Sequence, residues 1–216
     1  MKTRNIMTLI LLSLPSSAFA LDLEDELLLG IPEPEQEETL PRVLAAEGPG
    51  QGEGALALGL AFLSDLPALE LRYVRGLGED VDLELELTTI GVTQRLRGGV
   101  RYRVAQIKGS TLAIRGSLGE AHSTAEPFLF LGAGPGVLYS FGERSARFTA
   151  SLDVAFPFLS SSFDNRLGGA VFVRPAFGVE LAIDDDLGLF VEGGVHAAVQ
   201  SEALRSFPSV SAGLAW

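Results

Sequence analysis

"VDLELELTT", residues 81–89, sets Val81, Leu83, Leu85 and Leu87 on one side of the chain and Asp82, Glu84 and Glu86 on the other. A period of two is that of a β-strand. Which set meets the solvent decides the fold. In a water-soluble sheet the leucines are buried and the carboxylates wet. In a membrane barrel the leucines face lipid and the carboxylates line an enclosed lumen.

The next stretch, "RLRGGVRYRV" (95–104), sets Leu96, Val100, Tyr102 and Val104 against Arg95, Arg97, Arg101 and Arg103. A short turn near Gly91 joins the two, which places Glu86 beside Arg97 and Asp82 beside Arg101, with Glu84 diagonal to both. Every same-face register brings carboxylates to guanidiniums, as cross-strand pairing prefers. The cations are almost all arginine, since the only lysines are Lys2 and Lys108. Arginine suits enclosed, bidentate ion pairs, whereas a merely solvated face usually carries many lysines.

Outward from this hairpin the alternation continues. Strands are expected at 54–63, 68–75, 81–90, 95–104, 111–119, 127–139, 145–156, 170–183, 187–199 and 208–216. The non-lipid face collects Glu70, Arg72, Asp82, Glu84, Glu86, Arg95, Arg97, Arg101, Arg103, Arg115, Arg147, Asp153, Arg174, Glu180, Glu192 and His196. An arginine on a lipid face near the bilayer midplane costs roughly 2–4 kcal/mol, so this face cannot meet lipid. Its opposite carries almost nothing ionisable. Aromatic residues fall near both expected rims of that apolar face: Phe62, Phe156 and Phe207 at one, Tyr73, Phe148 and Trp216 at the other. That is the pattern of an interfacial girdle. "PFLFLGAGPGVLY" (127–139) is apolar on both faces and its phase is not assignable. Pro135 and Pro175 fall inside expected strands, where bulges or early strand ends are expected. The longer connections are 120–126, 157–169 and 200–207, all on one rim, as external loops of an antiparallel barrel would be.

The N-terminus reads differently. Lys2 and Arg4, an apolar run over 6–14 and the small residues of "PSSAFA" describe a signal peptide over 1–20, cleaved after Ala20. Residues 21–52 hold nine acids against one base, Arg42, and four prolines, which is the composition of a disordered acidic periplasmic linker. The barrel is then expected over 53–216. With no cysteine in 216 residues, disulfides and thiolate metal sites are excluded. A formal charge of −12 argues against a nucleic-acid partner.

Signal peptide, ten alternating strands, absence of cysteine and a final "VSAGLAW" together resemble bacterial outer-membrane β-barrel proteins of the small, OmpA-barrel-like kind. The resemblance covers roughly 53–216 and is one of pattern. It implies an all-β, closed antiparallel up-and-down transmembrane barrel of about ten strands (8–12). It also implies outer-membrane lipid as surroundings and an assembly machinery that reads the last strand through its aromatic end, which Trp216 would supply.

The inward charges are expected to form a neutralising network, because buried charges persist only when paired. A narrow solute path lined by arginine is the functional alternative. No catalytic, cofactor or metal site is expected. His122, near Ser123 and Glu120, lies where outer-membrane lipid-A esterases act, yet without the spacing of that family's motif. The loop 157–169 is the expected place for an external ligand. A structural, adhesive or minor transport role follows. The alternatives are a soluble periplasmic lipocalin-like barrel, which would need Leu and Phe inside, and a lipid-acting enzyme.

Overall fold

In the computed structural model the described residues are 42–63, 66–91, 93–123, 128–143, 145–161, 170–184, 186–200 and 203–216. Signal-peptide and acidic-linker readings over 1–41 lie outside them. Ten strands follow in chain order: β1 (Gly54–Leu63), β2 (Leu66–Gly76), β3 (Val81–Ile90), β4 (Thr93–Ile107), β5 (Ser110–Ser123), β6 (Phe128–Glu143), β7 (Ala146–Ser161), β8 (Val171–Asp184), β9 (Leu187–Gln200) and β10 (Ala203–Ala215). Each pairs antiparallel with its neighbours in sequence, and β1 pairs with β10 from Ala57↔Ala215 to Leu63↔Ser209. The sheet therefore closes into an up-and-down barrel without an edge.

The opening question has its answer in β3. Asp82, Glu84, Glu86 and Thr88 are buried, while Leu85 and Leu87 are 43% and 37% exposed. Glu86 stands opposite Arg97 and Asp82 opposite Arg101, the register that a short turn at Gly91 dictates. Gly91 sits at φ +56°, where a side chain would strain the two-residue turn between Ile90 and Thr93. All round the barrel the outward set is apolar: Leu58, Leu60, Leu118, Val137, Leu152 and Phe177 are exposed, with Phe62, Phe156, Phe207 and Trp216 toward the rims. Such a surface has lipid for a solvent. The lipocalin-like alternative needed the opposite polarity.

Within the chain's apolar stretch of unassignable phase, β6 turns Val137, Tyr139 and Phe141 outward and Gly136, Leu138 and Ser140 inward. Tyr139, Phe141, Phe148 and Phe177 then stack in a row across β6, β7 and β8, with centroids 5.8, 5.4 and 6.2 Å apart. This row extends the girdle on the rim that carries the C-terminus.

Three expectations need correction. Strands run on past the ends drawn from sequence: β5 reaches Ser123, β7 reaches Ser161 and β10 begins at Ala203. The loop 157–169 thus begins as strand, and its remainder, 162–169, lies outside the described residues. Bulges do not mark Pro135 and Pro175. Register shifts fall at Arg103/Ala105, Leu131/Gly132 and Ala182/Asp184. A proline lacks one N–H and so interrupts the ladder toward a single neighbour. Pro135 keeps its place opposite Gly116, and Pro175 opposite Leu152, while the ladder gaps fall on the other side of each strand.

The third correction concerns 42–52, the end of the expected linker. Residues 43–49 are buried inside the barrel. Val43 and Leu44 pack with Ala55, Ala57, Val74, Phe190 and Ala215, and Ala46 packs with Ala113 and Leu138. Small inward residues on β1 make the room. The composition argument failed here because it counts what a segment could bury by itself, and this one buries against a preformed wall.

Candidate functional site

The lumen gathers the chain's charge, so the site is built there. Five guanidiniums and five carboxylates alternate along one continuous path. Arg101 Nε lies 2.6 Å from Glu84 Oε1, and Arg115 Nη1 lies 3.0 Å from Glu84 Oε2. Arg115 Nε then donates to Asp153 Oδ1 at 3.0 Å, and Arg97 Nη1 sits 3.2 Å from Asp153 Oδ2. Arg97 Nη2 reaches Glu86 Oε2 at 2.8 Å, and Arg174 Nη1 reaches the same oxygen at 3.6 Å. Arg174 also pairs with Glu192, which accepts from Arg72 Nη2 at 2.9 Å, and Arg72 closes the series on Glu70. Seven strands contribute, and the path spans the lumen.

Each member has a structural reason for its place. Gly136 faces in where a Cβ would overlap the Asp153 carboxylate, so the glycine-rich inner face of β6 is what admits the Arg115–Asp153 pair. Arg72 lies over the Phe190 ring, 5.4 Å from its centroid, a cation–π contact that orients the guanidinium toward Glu192. Phe190 is itself enclosed against the β1–β10 seam, where Gly59 and Gly213 leave space for its ring.

A second layer lies nearer the short-turn rim, where residues 43–49 cross the lumen. The N–H groups of Val43, Leu44 and Ala45 all donate to the Glu180 carboxylate, at 2.7, 3.0 and 3.0 Å. Ala46 N donates to Ser140 Oγ at 2.6 Å, and Ser140 meets Thr149 at 2.8 Å. Arg101, only 1% exposed, donates to the Ala45 carbonyl. Glu47 pairs with Arg147, and Gly48 abuts the Asp82 carboxylate.

Of the residues singled out from sequence, Glu84, Glu86, Arg97, Arg101, Arg115, Arg174 and Glu192 therefore meet in the network. Asp82 stands opposite Arg101 in register, but that guanidinium turns to Glu84 and Ala45. Glu180 binds backbone amides instead of arginine. Arg103 sits at the rim, 3.9 Å from Asp80, and donates to Gln106 at 3.4 Å. Arg95 is half-buried opposite Thr88, with no ion pair among the described residues. Trp216 is 49% exposed, and its N–H and carbonyl bond to Leu56 at 2.8 Å. Side chains of His122 and Ser123, at the end of β5, lie outside the described residues. Sequence reasoning faced Asp153 inward but did not give it Arg115 and Arg97 as partners. It also missed 43–49, whose one signal is an apolar, small run, "VLAA", amid acids and prolines.

Among the described residues no group of three or more His, Asp or Glu is arranged to hold a metal ion. The network leaves a cavity of about 30 Å³, lined by Val43, Leu44, Arg72, Glu84, Arg97 and Arg115 among others. That is the space of roughly one water molecule.

No family model matches the chain, and no curated protein does. Solved structures of low likeness include the KdgM porin (8% identity, TM-score 0.46, over 75% of this chain and 98% of that one). The NanC porin aligns at 10% identity and a TM-score of 0.45, over 76% and 99% of the two chains. The N-terminal β-barrel domain of Pseudomonas aeruginosa OprF aligns at 9% and 0.36, over 77% and 99%. These likenesses say nothing about what the chain does. Its assignment as a transmembrane barrel rests on the closed ten-strand sheet with an apolar outer face and a charged lumen.

Proposed function

We propose that the chain is an integral outer-membrane barrel, closed at rest, that serves as a structural element of the cell envelope and performs no catalysis. The observation that carries this reading is the inverted polarity: exposed Leu85 and Leu87 alternate on one strand with buried Asp82, Glu84 and Glu86. The charges of the network each meet an opposite partner, and the pairing pins the strands in register. A network that crosses the lumen, with peptide filling one mouth, suits a rigid anchor better than an open pore.

Its partners on this reading are outer-membrane lipid along the apolar belt and the assembly machinery at the Trp216 strand. An external ligand would meet the rim where β7 ends and β8 begins. Two measurements test the assignment. The folded protein should migrate differently on a detergent gel with and without boiling, and it should fractionate with outer membranes. Extraction into buffer without detergent would overturn it.

A further inference from the structure

One mouth of the lumen is closed by backbone, and the backbone is held in an unusual way. Residues 43–49 form no ladder with any strand; the one bridge at their base is Gln51↔Gly76. Their hold is polar and runs through three amides on Glu180, one on Ser140, the Ala45 carbonyl on Arg101 and Glu47 on Arg147. Water can serve each of those wall groups once the segment leaves. Only Val43 and Leu44 add a sizeable apolar contact, since the rest of the segment is Ala45, Ala46, Glu47, Gly48 and Pro49.

At its base the segment meets a two-glycine turn that can serve as a hinge. Its barrel side is fixed by Gly52 N–H on the Gly76 carbonyl and Glu53 N–H on the Gly50 carbonyl, at 3.0 and 3.2 Å. Gly50 and Gly52, on either side of Gln51, sit at φ +109° and +80°, and a Cβ at Gly52 would meet nothing within 4 Å. Glycine moves through this region of conformation without the steric cost that other residues meet. The fit inside is also incomplete. Among the described residues Glu47 Oε1 rests on the Arg147 ion pair, while Glu47 Oε2 and Arg147 Nε have no hydrogen-bond partner. Buried polar atoms left in this state favour any conformation that lets water reach them.

From this hinge, these replaceable contacts and this incomplete fit, we infer that residues 43–49 are a displaceable plug and that the barrel passes small inorganic ions when the plug swings out about Gly50 and Gly52. This goes beyond the anchoring role and rests on the membrane-barrel reading. Among the described residues the lumen above the plug is filled by the paired arginine and carboxylate side chains. A path therefore opens only where these pairs exchange for water or for a passing ion once the plug has left. The plug is the backbone element, among the described residues, that bars this path. Five arginines and five acids alternate on the path above it, so the open state should discriminate weakly between cations and anions.

The chain has no cysteine, which makes a reversible lock available. A Cβ at Gly48 would abut the Asp82 side chain, so the pair Gly48→Cys/Asp82→Cys should tie the plug to β3 on oxidation. Full-length protein is placed in planar bilayers in potassium chloride, and folding of the same sample is checked by its gel shift on boiling. Wild type and reduced variant should show intermittent openings with weak K⁺/Cl⁻ selectivity, and the oxidised variant should be silent. Ala46→Cys/Ser140→Cys provides a second lock, and Glu180→Ala should raise the open fraction severalfold. A folded wild type that never conducts, or equal conductance with the locks oxidised and reduced, overturns the gate while leaving the membrane barrel intact. Loss of the gel shift in the wild type would sink both.

Discussion

Arg174 and Glu86 meet at 3.6 Å although their strands, β8 and β3, stand opposite each other in the ring of ten. The pair therefore braces the barrel across its width, which no hydrogen bond of the sheet can do. Glu86 also holds Arg97, and Arg174 also holds Glu192. Removing either end strands charges that have left bulk water behind.

Glu86→Gln should thus be costly out of proportion to its size. Breaking a buried pair at one partner costs roughly 3–5 kcal/mol. Urea unfolding in lipid vesicles measures it, and Glu86→Leu combined with Arg174→Leu should recover part of the loss. A single variant within about 0.5 kcal/mol of wild type, the range of an indifferent surface change, would show that the brace does not stabilise the fold.

Outside, the sign of the preference reverses. Leu85 lies at the middle of β3 on the lipid face, 43% exposed. Leu85→Arg should lose roughly 2–4 kcal/mol on the same unfolding assay, with Leu85→Phe close to neutral. Tolerance of the arginine would place water, not lipid, against this face.

Glu180 accepts three backbone amides from 43–45, so its truncation exposes the plug's grip directly. In Glu180→Ala the amides of Val43, Leu44 and Ala45 should exchange with deuterium at least tenfold faster, while the strand amides of β8 keep their protection. Loss of one net hydrogen bond, about 1.4 kcal/mol, already corresponds to a factor of ten. Uniform exchange across both would mean that the barrel, and not the plug alone, had loosened.

Trp216 separates assembly from stability. Its backbone is fastened to Leu56 by two 2.8 Å hydrogen bonds that a shorter side chain leaves in place, and the indole is half exposed on the lipid side. Trp216→Ala should refold in detergent nearly as well as wild type yet reach the outer membrane several times less efficiently in cells. Equal yields in cells would remove the terminal aromatic from the assembly role.

Much of the fold was legible because the lipid face and the lumen face make opposite demands on alternate residues. In 81–104 that contrast, with a two-residue turn, sufficed to set strands, inward face and the Glu86–Arg97 register. Where the contrast was absent, legibility stopped. Gly132, Gly134 and Gly136 on β6 carry no polarity to read, so neither its phase nor the pocket for Asp153 could be deduced. Strand ends were drawn short because the outer rims lack apolar alternation, while backbone pairing carries on past them.

Polarity alternation by itself determined about ten strands, each with an apolar and a charged face, since hydration energies of leucine and arginine differ too much to share one. Closure of the sheet with the apolar face outward was decided by the tertiary structure. Only the tertiary structure decided which charges meet. Arg101 stands beside Asp82 on the sheet, yet it turns to Glu84 and to the Ala45 carbonyl. Long side chains choose partners through space once curvature brings opposite walls within reach. The same closure seated residues 43–49 in the lumen, because their amides found a carboxylate that local sequence never places nearby.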